Sequence, residues 1–280
     1  MKRLFFCVGE VNIKTIMAKA NRYSQIIEAI FFKTYEKNII EIPFTREEIE
    51  RTAAELQIKL PKNLGDVLYS FRYRTALPQS IINTAPEEFE WIIRPAGRAL
   101  YKLVLTKQTY FKPTEYLSET KILDATPGII SKYAMGDEQA LLVKVRYNRL
   151  IDIFTGLTCY SLQNHLRTTV PDMGQVETDE IYIGLDKRGV HYILPIQAKG
   201  GTDKLGVVQI EQDFAVGAAK FPTLICKPIA AQFMANGAIA LFEFELSDDV
   251  ITIVSEKHYR LVRPNELSAD ELETYKTRIN

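Results

Sequence analysis

Residues 176–201, VETDEIYIGLDKRGVHYILPIQAKGG, constrain the fold more than any other stretch, because they read as one β-hairpin with acids and a lysine at its open end. Ile181, Ile183 and Leu185 alternate with Tyr182 and Gly184, and Tyr192, Leu194 and Ile196 alternate with His191, Ile193 and Pro195. Asp186, Lys187, Arg188 and Gly189 carry turn chemistry between the two runs. Both faces are largely apolar, so the hairpin has to be covered on both sides, as in a layered α/β (α+β) domain. A three-residue loop, 187–189, sets Asp179 opposite Gln197 and Glu177 opposite Lys199, with all four on one face. A two-residue loop offsets the pairs by one and scatters the groups. Carboxylates and an amide oxygen converging there suit a hard cation such as magnesium, which takes oxygen ligands at roughly 2.0–2.1 Å. Lys199 adds positive charge beside it.

An acid at the head of one strand followed by acid-x-Lys on the next is the pattern of the PD-(D/E)xK nuclease superfamily, which contains many type II restriction endonucleases. The chain resembles it at Asp179 and at Gln197-Ala198-Lys199, with residues 177–179 (ETD) similar to the variant that lacks the proline. That variant is preferred over the literal Pro171-Asp172, which lies farther from the lysine. Gln197 departs from the usual glutamate and removes one formal charge, so the metal is expected to bind more weakly unless Glu177 or Glu180 compensates, and an acid at position 197 is expected to strengthen metal use. The resemblance implies a mixed sheet flanked by helices, with magnesium (or manganese) held by Asp179, the Gln197 side-chain oxygen and the Ala198 main-chain carbonyl. It further implies Lys199 orienting the attacking water and Glu177 as an extra ligand or water acceptor. It also asks for a helix before the hairpin that lends an acid, for which Glu138 and Asp152 both stand.

The chain has 280 residues, 46% hydrophobic and 25% charged, enough for two ordinary cores. Cys7, Cys159 and Cys226 are far apart and odd in number, which argues against a disulfide scaffold or structural zinc. The opening MKRLFFCVGEV is interrupted by Gly9 and Glu10, and no later run approaches 18 apolar residues, so a soluble, cytoplasmic protein with no membrane partner is expected. Net charge is zero, but residues 1–112 hold 18 Lys and Arg against 12 Asp and Glu, leaving 17 against 23 for the remainder. Such asymmetry between halves hints at nucleic-acid contact by the basic part.

Three segments follow: a DNA-binding domain at 1–112, a linker at 113–136 rich in turn formers, and the nuclease domain at 137–280. In the first, residues 16–35 form a helix with one apolar face, 38–44 a strand, and Thr45 to Glu48 a capping box opening a second helix. Pro61 starts a third helix, with Leu64, Val67, Leu68 and Phe71 inward and Lys62, Asn63, Arg72 and Arg74 outward. Residues 89–94 and 98–105 form a hairpin with Arg94 and Arg98 on either side of its turn. This layout is similar to a winged helix, in which the third helix reads the major groove of double-stranded DNA and wing arginines meet phosphate. In the second half, 137–147 is helical, 159–167 is a helix ending before Pro171, and Thr202 caps a helix over 203–220 in which Leu205, Val208, Ile210, Phe214 and Ala218 pack while Gln209, Gln212 and Asp213 face out. Residues 224–229 and the pair 238–246 and 250–254 are strands, and the tail from Ser268 is helical.

The function these expectations add up to is a magnesium-dependent type II restriction endonuclease acting as a homodimer on duplex DNA, with no nucleotide cofactor. A repair or recombination nuclease with the same core, or a winged-helix regulator with an inactive nuclease-like domain, are the alternatives.

Overall fold

Isoleucines and aromatics at helical spacing open the chain in the computed structural model, which describes residues 22–73, 75–134, 138–201, 203–248 and 250–278. Helix α1 (Arg22–Thr34) buries Ile26, Ile27, Ile30 and Phe31; residues 16–21 of the expected helix lie outside the described residues. A turn with Asn38 at φ 78° delays strand β1 to Glu41–Thr45. Thr45 then caps α2 (Arg46–Glu55), its hydroxyl taking the Glu48 N–H at 3.1 Å while Glu48 takes the Thr45 N–H at 2.9 Å. Helix α3 (Gly65–Tyr73) starts four residues after Pro61. A short α4 (Gln79–Ile82) leads into β2 (Glu90–Pro95) and β3 (Leu100–Thr106), which with β1 make an antiparallel sheet in the order β1-β3-β2. Trp91, Ile93 and Leu103 close this sheet over Phe31, Ile49, Leu68 and Ile81.

Residues 113–136, expected as a linker, follow β4 (Tyr110–Phe111) and supply β5 (Glu119–Leu123) and α5 (Gly128–Tyr133). Strand β5 pairs in parallel with the far end of the chain, so this stretch is built into the large sheet. After α6 (Glu138–Tyr147) and α7 (Leu150–Thr155) come β6 (Thr158–Val170), β7 (Gly174–Leu185) and β8 (His191–Lys199). Residues 159–167 are therefore strand, not helix: their backbone groups are taken up by β7 from Cys159↔Gly184 to Arg167↔Glu177. A register shift between Ser161 and Gln163 and a left-handed His165 (φ 54°) interrupt the two-residue alternation by which a strand is read.

Beyond β9 (Leu205–Gly206), helix α8 (Val207–Lys220) begins later than expected, because Leu205 and Gly206 pair with β4 and the Gln209 side chain takes the Gly206 N–H at 3.2 Å. Thr202 lies outside the described residues. Leu205, Val208 and Ile210 are buried as expected, but the buried face is wider than expected: Gln212 and Asp213 are buried too, and Ala218 is exposed. The short β10 (Ile225–Cys226), β11 (Ile229–Phe233), β12 (Ile239–Ser247) and β13 (Val250–Val262) follow, then α9 (Ala269–Thr277), capped by Ser268. The result is a mixed eight-stranded sheet in the order β5-β13-β12-β11-β8-β7-β6, with β10 also paired to β8. Helices α6 and α7 cover one face through Leu141, Leu142, Val145 and Leu150 against Leu194, Ile196 and Ala198. Helix α8 covers the other, with Ile210 against Phe242 and Val216 against Ile193. Among the described residues no helix is long and apolar enough to cross a membrane.

Candidate active site

The β7–β8 hairpin has the register that a 187–189 loop requires, from Leu185↔His191 to Glu180↔Ile196. Asp186 makes that loop, accepting the Arg188 and Val190 N–H groups at 2.8 and 2.9 Å. Continued past Ile196, this register carries Asp179 and Gln197 to the same level at the open end.

The four side chains do not share one face. Val176 packs with Ile181, Ile193 and Val216, and the Thr178 hydroxyl donates to Asp213 of α8 at 2.7 Å, so Thr178 and Ile181 both lie on the α8 side. An interval of three between them means that the alternation slips by one residue. Asp179 and Glu180 are thereby left on the α6 side. Asp179 accepts the Ala198 N–H at 2.8 Å, and the Lys199 ammonium reaches Glu138, the first residue of α6, at 3.0 Å. Burial pushes the Asp179 carboxyl above its ordinary range, opposed by the Ala198 N–H and Lys199 and reinforced by Glu138 and Glu177. Of the two acids open for the preceding helix, Glu138 is thus the one at the centre. Asp152 accepts the Cys159 N–H at 3.0 Å and pairs with Arg149 instead.

Gln197 turns toward α8. Its amide nitrogen donates to Asp213 Oδ1 at 3.1 Å, and its oxygen accepts from Gln209 Nε2 at 3.3 Å. The expected ligand oxygen is therefore engaged on the opposite side of the strand from Asp179, because the slip moved the acid and left the amide in place. Asp213 is fully buried, and loss of solvent raises its carboxyl to about 8, against the opposing hydrogen bonds from Thr178 and Gln197. The expected outward placement of Gln209, Gln212 and Asp213 concealed this ladder, although a carboxylate four residues after a glutamine on a helix under the hairpin was a usable signal.

Glu177 is held by two side chains of β6, with His165 Nε2 at 2.8 Å and Arg167 Nε at 3.1 Å. Glu180 is wholly buried, bound by Arg146 of α6 at 2.9 Å and by the Ser161 hydroxyl at 2.5 Å. Neither carboxylate is turned over to Asp179. Among the described residues no three His, Cys, Asp or Glu side chains gather in a way that would hold a metal by themselves. Asp179 and Glu138 are nevertheless hard oxygen donors of the kind magnesium accepts, and that ion commonly takes one or two carboxylates with water and substrate phosphate completing its shell.

The expected DNA contacts divide. Lys62, Asn63 and Arg98 are exposed, the Asn63 side chain also accepting the Gly65 N–H at 3.2 Å. Arg74 lies outside the described residues. Arg72 is turned inward over the Tyr101 ring, 5.4 Å from its centroid, and burial pulls its pKa down. Arg94 pairs with Glu211 of α8 at 2.6 Å, and Tyr73 donates to Gln212 at 3.4 Å. Among the described residues, Arg72 and Arg94 are thus turned to partners within the protein, and Asn63 has one in Gly65. Comparison with known proteins finds no family model, no curated protein and no solved structure that matches the chain significantly.

Proposed function

We propose that the chain is a metal-dependent endonuclease of the PD-(D/E)xK type acting on duplex DNA. The observation that carries this reading is the convergence of Asp179, Lys199 and Glu138 at one strand end, on an antiparallel hairpin held between α6 and α8. The element order supports it as well: a helix before the hairpin, a helix covering it and a mixed sheet between them are what the superfamily resemblance asks for. Asp179 and Glu138 are the side chains that would hold magnesium or manganese, with the Ala198 main-chain oxygen added by the resemblance. When bound, the ion supplies electrophilic activation of the phosphate and a water of lowered pKa.

Lys199 sits against the two acids with its side chain 10% exposed, placed to orient an attacking water and to offset charge that grows on the phosphate oxygens. Asp179 is fixed by the Ala198 N–H, so its position does not depend on substrate. Residues 22–106 support a winged-helix-like reading head by their order of α1, β1, α2, α3, α4, β2, β3 and by the β1-β3-β2 sheet. In that head Lys62 and Arg98 are the exposed cations that would meet DNA. A restriction-type enzyme cutting near-palindromic sites would act as a homodimer, because a two-fold protein offers one reading surface to each half-site.

The test is cleavage of a mixed-sequence duplex with magnesium or manganese by the wild-type protein and by Lys199→Ala. Discrete fragments from the first and none from the second are expected. Intact DNA in both, with a salt-sensitive gel shift, would instead support a DNA-binding regulator with an inactive centre.

A further inference from the structure

Strand β6 carries a second group of polar residues beside the Asp179 centre. Pairing of β7 with β8 stops at Glu180↔Ile196, whereas pairing of β6 with β7 runs on to Val170↔Gly174, so the two strands project as an arm. On that arm Leu166, Val170 and Val176 pack inward with Val216. His165, Arg167 and Glu177 occupy the other face, which Asp179 shares two residues along β7. His165 and Arg167 are 53% and 60% exposed and grip a Glu177 side chain that is 29% exposed. Arg146 of α6 pins the base of the arm, holding Asn164 at 3.1 Å and Glu180 at 2.9 Å.

Stability does not account for this cluster. Exposed ion pairs stabilise little, yet His165 adopts left-handed backbone at the level of Asp179, between the pairs Asn164↔Glu180 and Leu166↔Thr178. Strain of that kind marks places where a side chain is re-aimed for another purpose. Here the re-aimed ring and a guanidinium two residues away hold one anionic group between them, the geometry by which a phosphate oxygen is gripped.

We propose that His165 and Arg167 form a phosphate-holding strip for the DNA strand presented to Asp179 and Lys199, and that Glu177 is its built-in stand-in anion, displaced when DNA binds. This rests on the endonuclease reading and adds to it a substrate contact and an internal competitor. Glu177 thus weakens the affinity of the free protein for DNA.

The experiment is fluorescence anisotropy with a mixed-sequence duplex in EDTA, across a salt series, for wild type, Arg167→Ala, His165→Asn and Glu177→Gln. Asparagine tolerates the left-handed backbone, so the histidine change removes the ring alone. Arg167→Ala is expected to weaken binding and to reduce the salt slope by about 1. Glu177→Gln is expected to tighten it by roughly tenfold, on the scale of a hydrogen bond to a charged group. Misfolding cannot produce that gain. If wild type binds and cuts DNA while all three variants keep its affinity and slope, this inference falls and the endonuclease reading stands. If wild type binds no DNA, both fall.

Discussion

Asp213→Asn gives the sharpest test of how the centre is supported. The aspartate is fully buried under the hairpin, its Oδ1 accepting from Thr178 and Gln197, while Oδ2 finds no hydrogen-bond partner among the described residues. Burial raises its pKa from 3.8 to about 8. A raised folded pKa means that the stabilising contribution is complete below the unfolded value and is lost as pH rises toward the folded one. Between these limits the unfolded chain has released a proton that the native protein retains, so stability falls by about 1.36 kcal/mol per pH unit. From pH 6 to pH 8 the loss is therefore on the order of 2 kcal/mol. Asparagine has the same shape, keeps an acceptor for Thr178 and Gln197 and does not titrate. Urea unfolding of both proteins in metal-free buffer at pH 6, 7 and 8 should show the wild type losing about 2 kcal/mol relative to the variant. Comparing the two cancels other titrating groups. A difference that stays flat across this range would refute the buried, protonated Asp213.

Glu138→Gln, like the lysine change, should cut cleavage by at least about 100-fold, the scale of one lost electrostatic partner, measured as single-turnover cutting; unchanged cutting would remove Glu138 from the centre. Arg94→Ala leaves the part-buried Glu211 without its cation and should destabilise by about 1–3 kcal/mol in thermal unfolding, most of it recovered by adding Glu211→Gln. Gly217→Ala brings a methyl 2.8 Å from the Cys226 Cβ and closer still to its sulfur; a loss of about 1–3 kcal/mol is expected, relieved by Cys226→Gly. Gln197→Glu buries a second acid beside the protonated Asp213 and removes the amide donor between them, so it should lower stability at neutral pH through the cost of a buried, unpaired charge without improving metal-dependent cutting; improved cutting would show that residue 197 turns to the Asp179 side.

Local chemistry made much of this legible from the letters. The Asp-Lys-Arg-Gly run marked the hairpin turn, of whose two loop lengths the structure has the three-residue one, and the Thr45–Glu48 box and the apolar spacing of α1 placed helices where they occur. What escaped was decided at a distance. Strand β6 reads as helical because a register shift and a left-handed histidine break its alternation. Strand β5 hides in a turn-rich stretch because its partner is β13, well over a hundred residues away. Arg72 and Arg94 look like surface cations until Tyr101 and Glu211 arrive from other elements. The separation of Asp179 from Gln197 turned on a one-residue slip between Thr178 and Ile181, which no residue in that run announces.

That slip also explains why an amide rather than an acid suits position 197. With Asp179 on the α6 side, the side chain of residue 197 faces the buried Asp213, where a glutamate would bring a second acid about one hydrogen bond from a carboxyl that burial already keeps protonated, with no cation or water there to carry its charge. Glutamine satisfies both neighbours at once, donating to Asp213 and accepting from Gln209. The ladder Gln209–Gln197–Asp213–Thr178 then ties α8 to both strands of the β7–β8 hairpin. The two residues of α8 that precede Asp213, Glu211 and Gln212, are held by Arg94 of β2 and Tyr73 of α3. One turn of α8 therefore touches the N-terminal sheet, the end of α3 and the floor of the Asp179 centre.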